Sequence, residues 1–238
     1  MRATDRNARM VRQFLCGVLL ALAITFAVRP VITYAQGEAA QTAPAGDPTG
    51  ATTGAAKDVT VKDAANPTLP EVMDTVGHNK VSINIMWTLL AGFLVMFMQA
   101  GFALVETGFT RAKNVAHTMS MNFMVYAIGM LGYWLCGFAL QMGGIGPLAV
   151  FGGGTAPLNH EFTIDIGGKA LGLFGLKGFM LTGDSYDVSI FTLFLFQMVF
   201  MDTAATIPTG AMAERWKFSS FVIFAFFMSM IIYPLYAN

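Results

Sequence analysis

Four long stretches of uncharged or nearly uncharged, mostly apolar positions follow one another from residue 83 to residue 238. They run over Ile83–Val105, Met119–Met142, Val188–Ala213 and Phe218–Asn238. A helix needs about 20 apolar residues to cross a hydrocarbon layer of ~30 Å, and the first stretch has 23 positions without a charge. The pattern therefore predicts an all-α polytopic membrane protein with four transmembrane helices, spans A to D in chain order.

A shorter apolar run lies near the N-terminus, over residues 13–28, and four arginines precede it. Small residues at Thr33 and Ala35 then fit a cleavage site before Gln36. The pattern predicts a signal peptide over residues 1–35, which would leave the mature N-terminus outside the cytoplasm. The alternative is a helix that stays attached as a membrane anchor.

Residues 36–80 are rich in Ala, Thr, Gly and Pro and offer little apolar surface to bury. This composition predicts a flexible extracytoplasmic linker. Its last part, TLPEVMDTVGHNK over residues 68–80, is expected to form a short interfacial helix before span A. Residues 81–238 are then the membrane domain.

The distribution of basic residues predicts the orientation of the spans. Arg111 and Lys113 lie between spans A and B, and Arg215 and Lys217 lie between spans C and D. Short basic connections stay in the cytoplasm. The connection between spans B and C is Gly-rich and mildly acidic, so it is expected outside, as is the linker. Both ends of the membrane domain are therefore predicted to be extracytoplasmic.

Composition excludes several classes of function. The chain is 55% hydrophobic and 12% charged, against about 25% charge in a soluble domain. The formal net charge of +0 gives nucleic-acid binding no electrostatic support. Because the sequence contains no phosphate-binding loop and no nucleophile–base arrangement, we expect neither an enzyme nor a cofactor. We assign no metal site to the three histidines, which lie near predicted loops: His78, His117 and His160.

Two ordered motifs end spans A and C. They read GFALVETGFTRAKN over Gly101–Asn114 and GAMAERWKF over Gly210–Phe218. Both resemble the first and third membrane helices of the ammonium transporter (Amt/Rh/methylammonium permease) family, and the resemblance covers about residues 84–238. It implies the first part of a fold of about eleven helices in two inverted halves. The chain is therefore expected to be the N-terminal part of such a transporter, without the second half.

The resemblance also implies a mechanism. Family members capture ammonium at an outer aromatic vestibule, remove its proton, and pass ammonia through an apolar lumen. Matched to the family motif, Phe200 is the phenylalanine of the outer gate, and Phe196 stands one turn further out. Thr203 and Ile207 lie on the same helical stripe, and Ile207 matches an apolar lumen position. The alternative is that this stripe is ordinary helix packing.

On span A, Phe102, Val105 and Glu106 share a helical face whose family counterparts line the lower pore. The Glu106 carboxylate is expected either to attract cations at the inner mouth or to form a salt bridge with Arg111 or Lys113. A cytoplasmic motif is expected at Arg111, Lys113, Asn114, Glu214 and Arg215. Of these, Glu214 and Arg215 begin the connection between spans C and D and are expected to tie the inner helix ends together.

Asp202 is the one ionisable residue deep inside a span. An aspartate at the centre of a membrane helix costs ~2.5–3.5 kcal/mol on insertion scales. It lies about 200° around the helix from Phe200, so it is expected to face away from the pore. We interpret Asp202 as a structural group, with a cation relay as the alternative. The essential aspartate of the family belongs to a later helix.

The function expected from the resemblance is transport of ammonium or ammonia across a bacterial inner membrane. The implied partners are membrane lipid, two further copies in a homotrimer, and a PII-type regulatory protein at the cytoplasmic face. Two alternatives remain, in which the chain does not itself transport. It would then be an ammonium-sensing half-channel or a membrane assembly module.

Overall fold

The computed structural model describes residues 65–146, 148–152 and 158–238. The predicted signal peptide and most of the predicted linker lie outside these residues. Four helical rods are long and apolar enough to cross a membrane. Their α-helical parts are α1 (Leu69–Phe109), α2 (Val115–Gly132), α3 (Phe138–Met142), α4 (Val188–Ala211), α5 (Phe218–Phe227) and α6 (Tyr233–Ala237).

Helix α1 is a single rod of 41 residues, about 60 Å long at 1.5 Å per residue. The predicted separate interfacial helix is wrong, because residues 69–80 continue into span A without a break. At the start of the rod, the Glu71 carboxylate accepts hydrogen bonds from the Thr68 backbone N–H at 2.8 Å and from its hydroxyl at 2.7 Å. This arrangement resembles a capping box, and Pro70 suits the first turn.

Two of the rods each contain a π-helical turn. Residues Tyr133–Gly137 join α2 to α3, and residues Met228–Ile232 join α5 to α6. The two turns lie against each other. Here a Cβ atom at Gly132 would lie 2.4 Å from the Ser229 hydroxyl and 2.8 Å from the Phe226 carbonyl oxygen. Glycine is therefore required at residue 132 for the two rods to approach this closely.

The core lies between α2, α4 and α5, whereas α1 is the least buried of the four rods. Helix α1 packs on α4 and α2 through a narrow stripe of small and polar residues, and most of its large apolar side chains are exposed. The largest fully buried side chains include Tyr133, Phe138, Phe221, Met121 and Ile190.

The connection between α3 and α4 contains a β-hairpin that was not predicted. Strand β1 (Glu161–Ile166) pairs antiparallel with β2 (Lys169–Gly175). The turn is Gly167–Gly168, with φ values of 64° and 79°. Two-residue turns with left-handed backbone favour glycine because it has no Cβ atom. A Gly-Gly pair between two segments in which apolar and polar residues partly alternate is a pattern that predicts a β-hairpin.

Candidate functional site

The predicted aromatic stripe forms one face of α4. The rings of Phe196 and Phe200 meet edge to face, with centroids 5.0 Å apart and an interplanar angle of 63°. Phe200 is 39% exposed and Ile207 is 57% exposed, while Thr203 is half-buried and donates its hydroxyl hydrogen bond to the Val199 carbonyl at 3.0 Å. The α4 face thus combines an aromatic pair, a hydroxyl already bonded within the helix, and an exposed aliphatic side chain.

Helix α1 approaches this face beside Phe196. A Cβ atom at Gly92 would lie 3.7 Å from the Phe196 Cα atom. Further along α1, the three predicted lower-pore residues have different surroundings. Phe102 is half-buried, Val105 is 57% exposed, and Glu106 is buried among neighbouring helices.

Glu106 belongs to a buried polar cluster at the ends of three helices. The Asn122 side-chain amide donates to Glu106 Oε2 at 2.8 Å, and the Thr209 hydroxyl donates to the same oxygen. We call this group the Glu106 cluster. It comprises Gln99 and Glu106 of α1, Thr118 and Asn122 of α2, and Thr206 and Thr209 of α4.

The remaining members of the Glu106 cluster continue the network. Gln99 donates to the Asn122 carbonyl at 2.6 Å, and the Thr206 hydroxyl donates to Gln99 Oε1 at 2.9 Å. The expected alternative of a salt bridge from Glu106 to Arg111 or Lys113 is wrong, because within the described residues Glu106 has only uncharged donors and Arg111 pairs elsewhere.

Arg111 forms a clamp with Glu214 between two helix connections. Its backbone N–H donates to Glu214 Oε1 at 2.8 Å and its Nε donates to Oε2 at 2.8 Å, with Nη2 only 2.6 Å from Oε2. Glu214 has a left-handed backbone, with φ of 64°. The clamp joins the α1–α2 connection to the α4–α5 connection. Of the other motif residues, Lys113 and Arg215 are exposed and Asn114 is half-buried.

The clamp changes the acidity of both partners. Hydrogen bonds from the side chains of Arg111 and then Asn114 lower the pKa of the Glu214 carboxyl from 4.5 to about 2. The hydrogen bond to Glu214 likewise raises the pKa of the Arg111 guanidinium above its ordinary value. Both groups therefore stay charged over the physiological pH range.

Asp202 is 3% exposed and lies against α2. A Cβ atom at Gly129 would be 3.7 Å from Asp202 Oδ1. Within the described parts of the chain, that oxygen has no hydrogen-bond partner. The carboxylate thus faces the interior of the bundle, while the Phe200 ring on the same helix is exposed.

Several uncharged polar residues in the spans were not singled out from the sequence. Gln141 accepts a hydrogen bond from the Tyr133 hydroxyl at 2.6 Å and donates to Gln197 Oε1 at 3.3 Å. Gln197 directly follows Phe196, so this buried chain of polar groups lies next to the aromatic pair in sequence. The sequence could have indicated them, because polar side chains within membrane helices usually face the interior of the bundle.

The described residues contain no group of three or more His, Cys, Asp and Glu side chains that could hold a metal ion. The fold and the site together indicate the class of protein. Four apolar rods with buried polar residues and a partly exposed aromatic pair form part of a multi-pass membrane protein.

Comparison with known proteins identifies the family. The sequence model of the Ammonium Transporter Family matches residues 86–238, so the chain belongs to that family. It is 41% identical over 170 residues to ammonium transporter Amt2 of Archaeoglobus fulgidus, covering 71% of this chain and 31% of the relative. Ammonium transporter Amt1 of Haloferax mediterranei is 37% identical over 153 residues, or 64% of this chain and 25% of the relative.

Among solved structures, the chain is similar to a protein titled "Sensor Amt Protein". That match has a TM-score of 0.49 and 29% identity, and covers 66% of this chain and 34% of the other. The chain spans about a quarter to a third of the length of the first curated relatives it matches.

Proposed function

We propose that this chain is the N-terminal portion of a transporter that carries ammonium or ammonia through a hydrophobic channel. Phe196 and Phe200 form part of an outer aromatic gate, and Thr203 and Ile207 continue the pore wall inward. The observation that carries this proposal is the edge-to-face aromatic pair on the partly exposed face of α4, inside the region that matches the family.

The chemistry of ammonium explains this arrangement. A small hydrated cation enters hydrocarbon only at great cost, and the faces of aromatic rings replace part of its water by a cation–π attraction of ~2 kcal/mol or more when desolvated. Once the proton is removed, neutral ammonia passes an apolar wall such as Ile207 far more readily. An aromatic entrance followed by an apolar passage therefore admits ammonia and excludes ions.

The proposal has further parts that rest on the resemblance and on the distribution of charge. The transporter is a homotrimer in a bacterial inner membrane, where it serves nitrogen uptake and is regulated by a PII-type protein at the cytoplasmic face. The basic residues Arg111, Lys113 and Arg215 support a cytoplasmic position for the two clamped connections. The signal peptide over residues 1–35 then delivers the mature N-terminus to the opposite side.

Uptake of labelled methylammonium tests the proposal. The chain is expressed by itself and as a chimera, in which the remaining part of Archaeoglobus fulgidus Amt2 follows Asn238. We expect uptake by the chimera and not by the four-span chain. Phe200→Ala in the chimera should change the uptake rate at least several-fold.

Phe123→Ala is the matched control, because Phe123 is an exposed phenylalanine on α2 that belongs to neither the aromatic pair nor the Glu106 cluster. It should leave uptake unchanged. If the chimera is present in the membrane but carries no more methylammonium than a vector control, while intact Amt2 does, the proposal is wrong. An equal effect of both Phe→Ala changes would remove Phe200 from the gate.

A further inference from the structure

The Glu106 cluster contains two buried polar atoms without a hydrogen-bond partner in the described residues. Both amide hydrogens of Asn122 are used, one by Glu106 Oε2 at 2.8 Å and the other by the Thr118 carbonyl at 3.1 Å. The buried Asn122 Oδ1 and the buried Thr118 Oγ1 have no partner among the described residues. Most buried polar atoms in proteins have one, so these two unsatisfied atoms require an explanation.

The carboxylate itself also lacks a compensating charge. Glu106 is 8% exposed, and in the described part of the chain it has no salt bridge. The nearest basic motif residue, Arg111, is already held by Glu214. A buried carboxylate with only neutral donors still favours a positive charge nearby.

One side of the cluster lies against a glycine. Glu106 Oε1 points toward Gly210, where an added Cβ atom would lie 3.1 Å away. Gly210 is exposed, so a residue without a side chain separates Oε1 from the surface of the bundle on this side. A side chain at residue 210 would therefore close this approach to the carboxylate.

From these observations we propose that the Glu106 cluster binds one ammonium ion. Its ligands are Glu106 Oε1, Asn122 Oδ1 and Thr118 Oγ1, contributed by α1 and α2, with Gly210 of α4 forming the entrance. Ammonium fits because it supplies both missing features, a positive charge and several N–H donors. A water molecule would leave the charge uncompensated, and a single proton would satisfy at most one of the unpaired acceptors.

This site differs from the aromatic gate in both residues and chemistry. The gate attracts a cation by ring faces, whereas the cluster holds it by oxygen atoms near the connections that we place in the cytoplasm. The inference shares with the proposed function the assumption that ammonium is the substrate. Its test therefore measures ammonium binding and not transport. Binding can be observed when uptake is absent, and uptake can be observed when binding at this site is absent.

The test measures the apparent melting temperature of the full chain in lipid nanodiscs. Ammonium chloride is added while tetramethylammonium chloride keeps the ionic strength constant, since the latter cation has no N–H donor. We expect a saturable rise of about 3 °C or more with ammonium, and none with tetramethylammonium. A parallel titration with sodium chloride should produce no comparable rise.

Three variants locate the ion. Glu106→Gln keeps the shape of the side chain but removes its charge, and should abolish the rise. Gly210→Ala changes no charge but places a Cβ atom 3.1 Å from Glu106 Oε1, where it obstructs that ligand. It should raise the midpoint ammonium concentration roughly tenfold or more, the effect expected when one hydrogen bond to a charged group is lost. Asp202→Asn is the matched control, because it neutralises another buried carboxylate and should leave the rise intact.

Several outcomes would overturn the inference. These are a rise that persists in Glu106→Gln, an equal rise with sodium, or a rise that Phe200→Ala removes while Glu106→Gln retains it. The last result would place the bound ion at the aromatic pair. If Glu106→Gln does not fold, Gly210→Ala and Thr118→Val decide the question, because neither changes a charge, and an unchanged midpoint in both contradicts the site.

Discussion

Asp202 shows how a single side chain shapes the energetics of a membrane helix. Its carboxylate is buried against Gly129, and Oδ1 has no hydrogen-bond partner in the described residues. A buried charge without a partner costs free energy unless the group is neutral. A neutral side chain of the same shape would avoid this cost.

Replacement of Asp202 by asparagine tests the structural interpretation of this residue. Asp202→Asn should give an apparent melting temperature equal to or above that of the unchanged chain, because it removes the ionisable group and keeps its shape. The measurement is thermal unfolding in nanodiscs. Asp74→Asn, which removes an exposed carboxylate outside the core, is the control and should have no effect. A loss of several degrees in Asp202→Asn alone would mean that the charged form has a partner.

The Arg111–Glu214 clamp predicts a defined pH dependence. The pKa of Glu214 is lowered from 4.5 to about 2 in the folded chain, so the clamp stabilises the fold fully above pH 4.5 and loses its effect as the pH falls through 2. At pH 7, Glu214→Gln should lower the melting temperature by at most a few degrees, because exposed ion pairs contribute little.

The difference between Glu214→Gln and the unchanged chain should then shrink as the pH is lowered from 4.5 toward 2. A double-mutant cycle with Arg111→Gln isolates the pair. A difference that stays constant across this pH range would show that the glutamate acts through its backbone conformation and not through its charge.

At the scale of elements, the two facing π-helical turns fix how closely two membrane rods approach. Such turns insert one residue into a helix and redirect the side chains beyond it. Gly132 lies where the rods meet, and Ser229 and Phe226 occupy the space that any larger residue would need. Close approach of small residues is a main source of helix association in membranes.

Two glycines on the same helix provide a matched comparison. Gly132→Ala would place its Cβ atom 2.8 Å from a backbone oxygen. Gly129→Ala would meet the flexible end of Met201 at 3.4 Å and Asp202 Oδ1 at 3.7 Å, which is an ordinary contact distance. We expect Gly132→Ala to destabilise the bundle by ~1–3 kcal/mol. Gly129→Ala should be neutral or stabilising, because alanine favours helix by about 1 kcal/mol. Equal unfolding free energies for the two variants would contradict the close contact.

Helix boundaries could be predicted from the sequence only where the helix begins or ends at the same residues as the apolar run. The predicted span over Val188–Ala213 agrees with α4 to within two residues at its end. The first span was predicted to begin at Ile83 because the polarity changes there, but the helix begins at Leu69, since polar residues such as Asn79 and Lys80 do not stop a hydrogen-bonded helix. The π-helical turns have no hydrophobic period of their own and were not predicted.

The candidate site was predictable only within a single helix. Phe196 and Phe200 are four residues apart, so helical geometry alone brings their rings together. Glu106 meets Asn122 and Thr209, which are 16 and 103 residues away. The hydrophobic pattern of a helix does not show which residues of another helix its polar side chains contact. These partners were therefore found only in the structure.

For the whole molecule, the four rods predict which connections share a side of the membrane. Lys113 and Lys217 lie in the two clamped connections, and Lys169 lies on the hairpin. An odd number of crossings separates the hairpin from each of the others. Single cysteines at residues 113 and 217 should therefore react with a membrane-impermeant maleimide from one side, the cytoplasmic side by the positive-inside rule, and a cysteine at 169 from the other.

These labelling variants use a Cys16→Ser background, and the remaining Cys136 is buried. Intact cells and inside-out vesicles are compared. Labelling of residues 113 and 169 from the same side would overturn the four-crossing topology. If residues 113 and 217 react from the extracytoplasmic side and residue 169 from the cytoplasmic side, the four crossings are kept and the predicted orientation is wrong.

The length of α1 has a mechanical consequence. It is one continuous α-helix from Leu69 to Phe109, so a rotation of its N-terminal end turns the whole rod. Gly92 beside Phe196 and Glu106 beside Asn122 lie on that rod, about 20 Å apart along its axis. Helix α1 is therefore a rigid link, because a rotation at its N-terminal end would move Gly92 and the buried Glu106 carboxylate together.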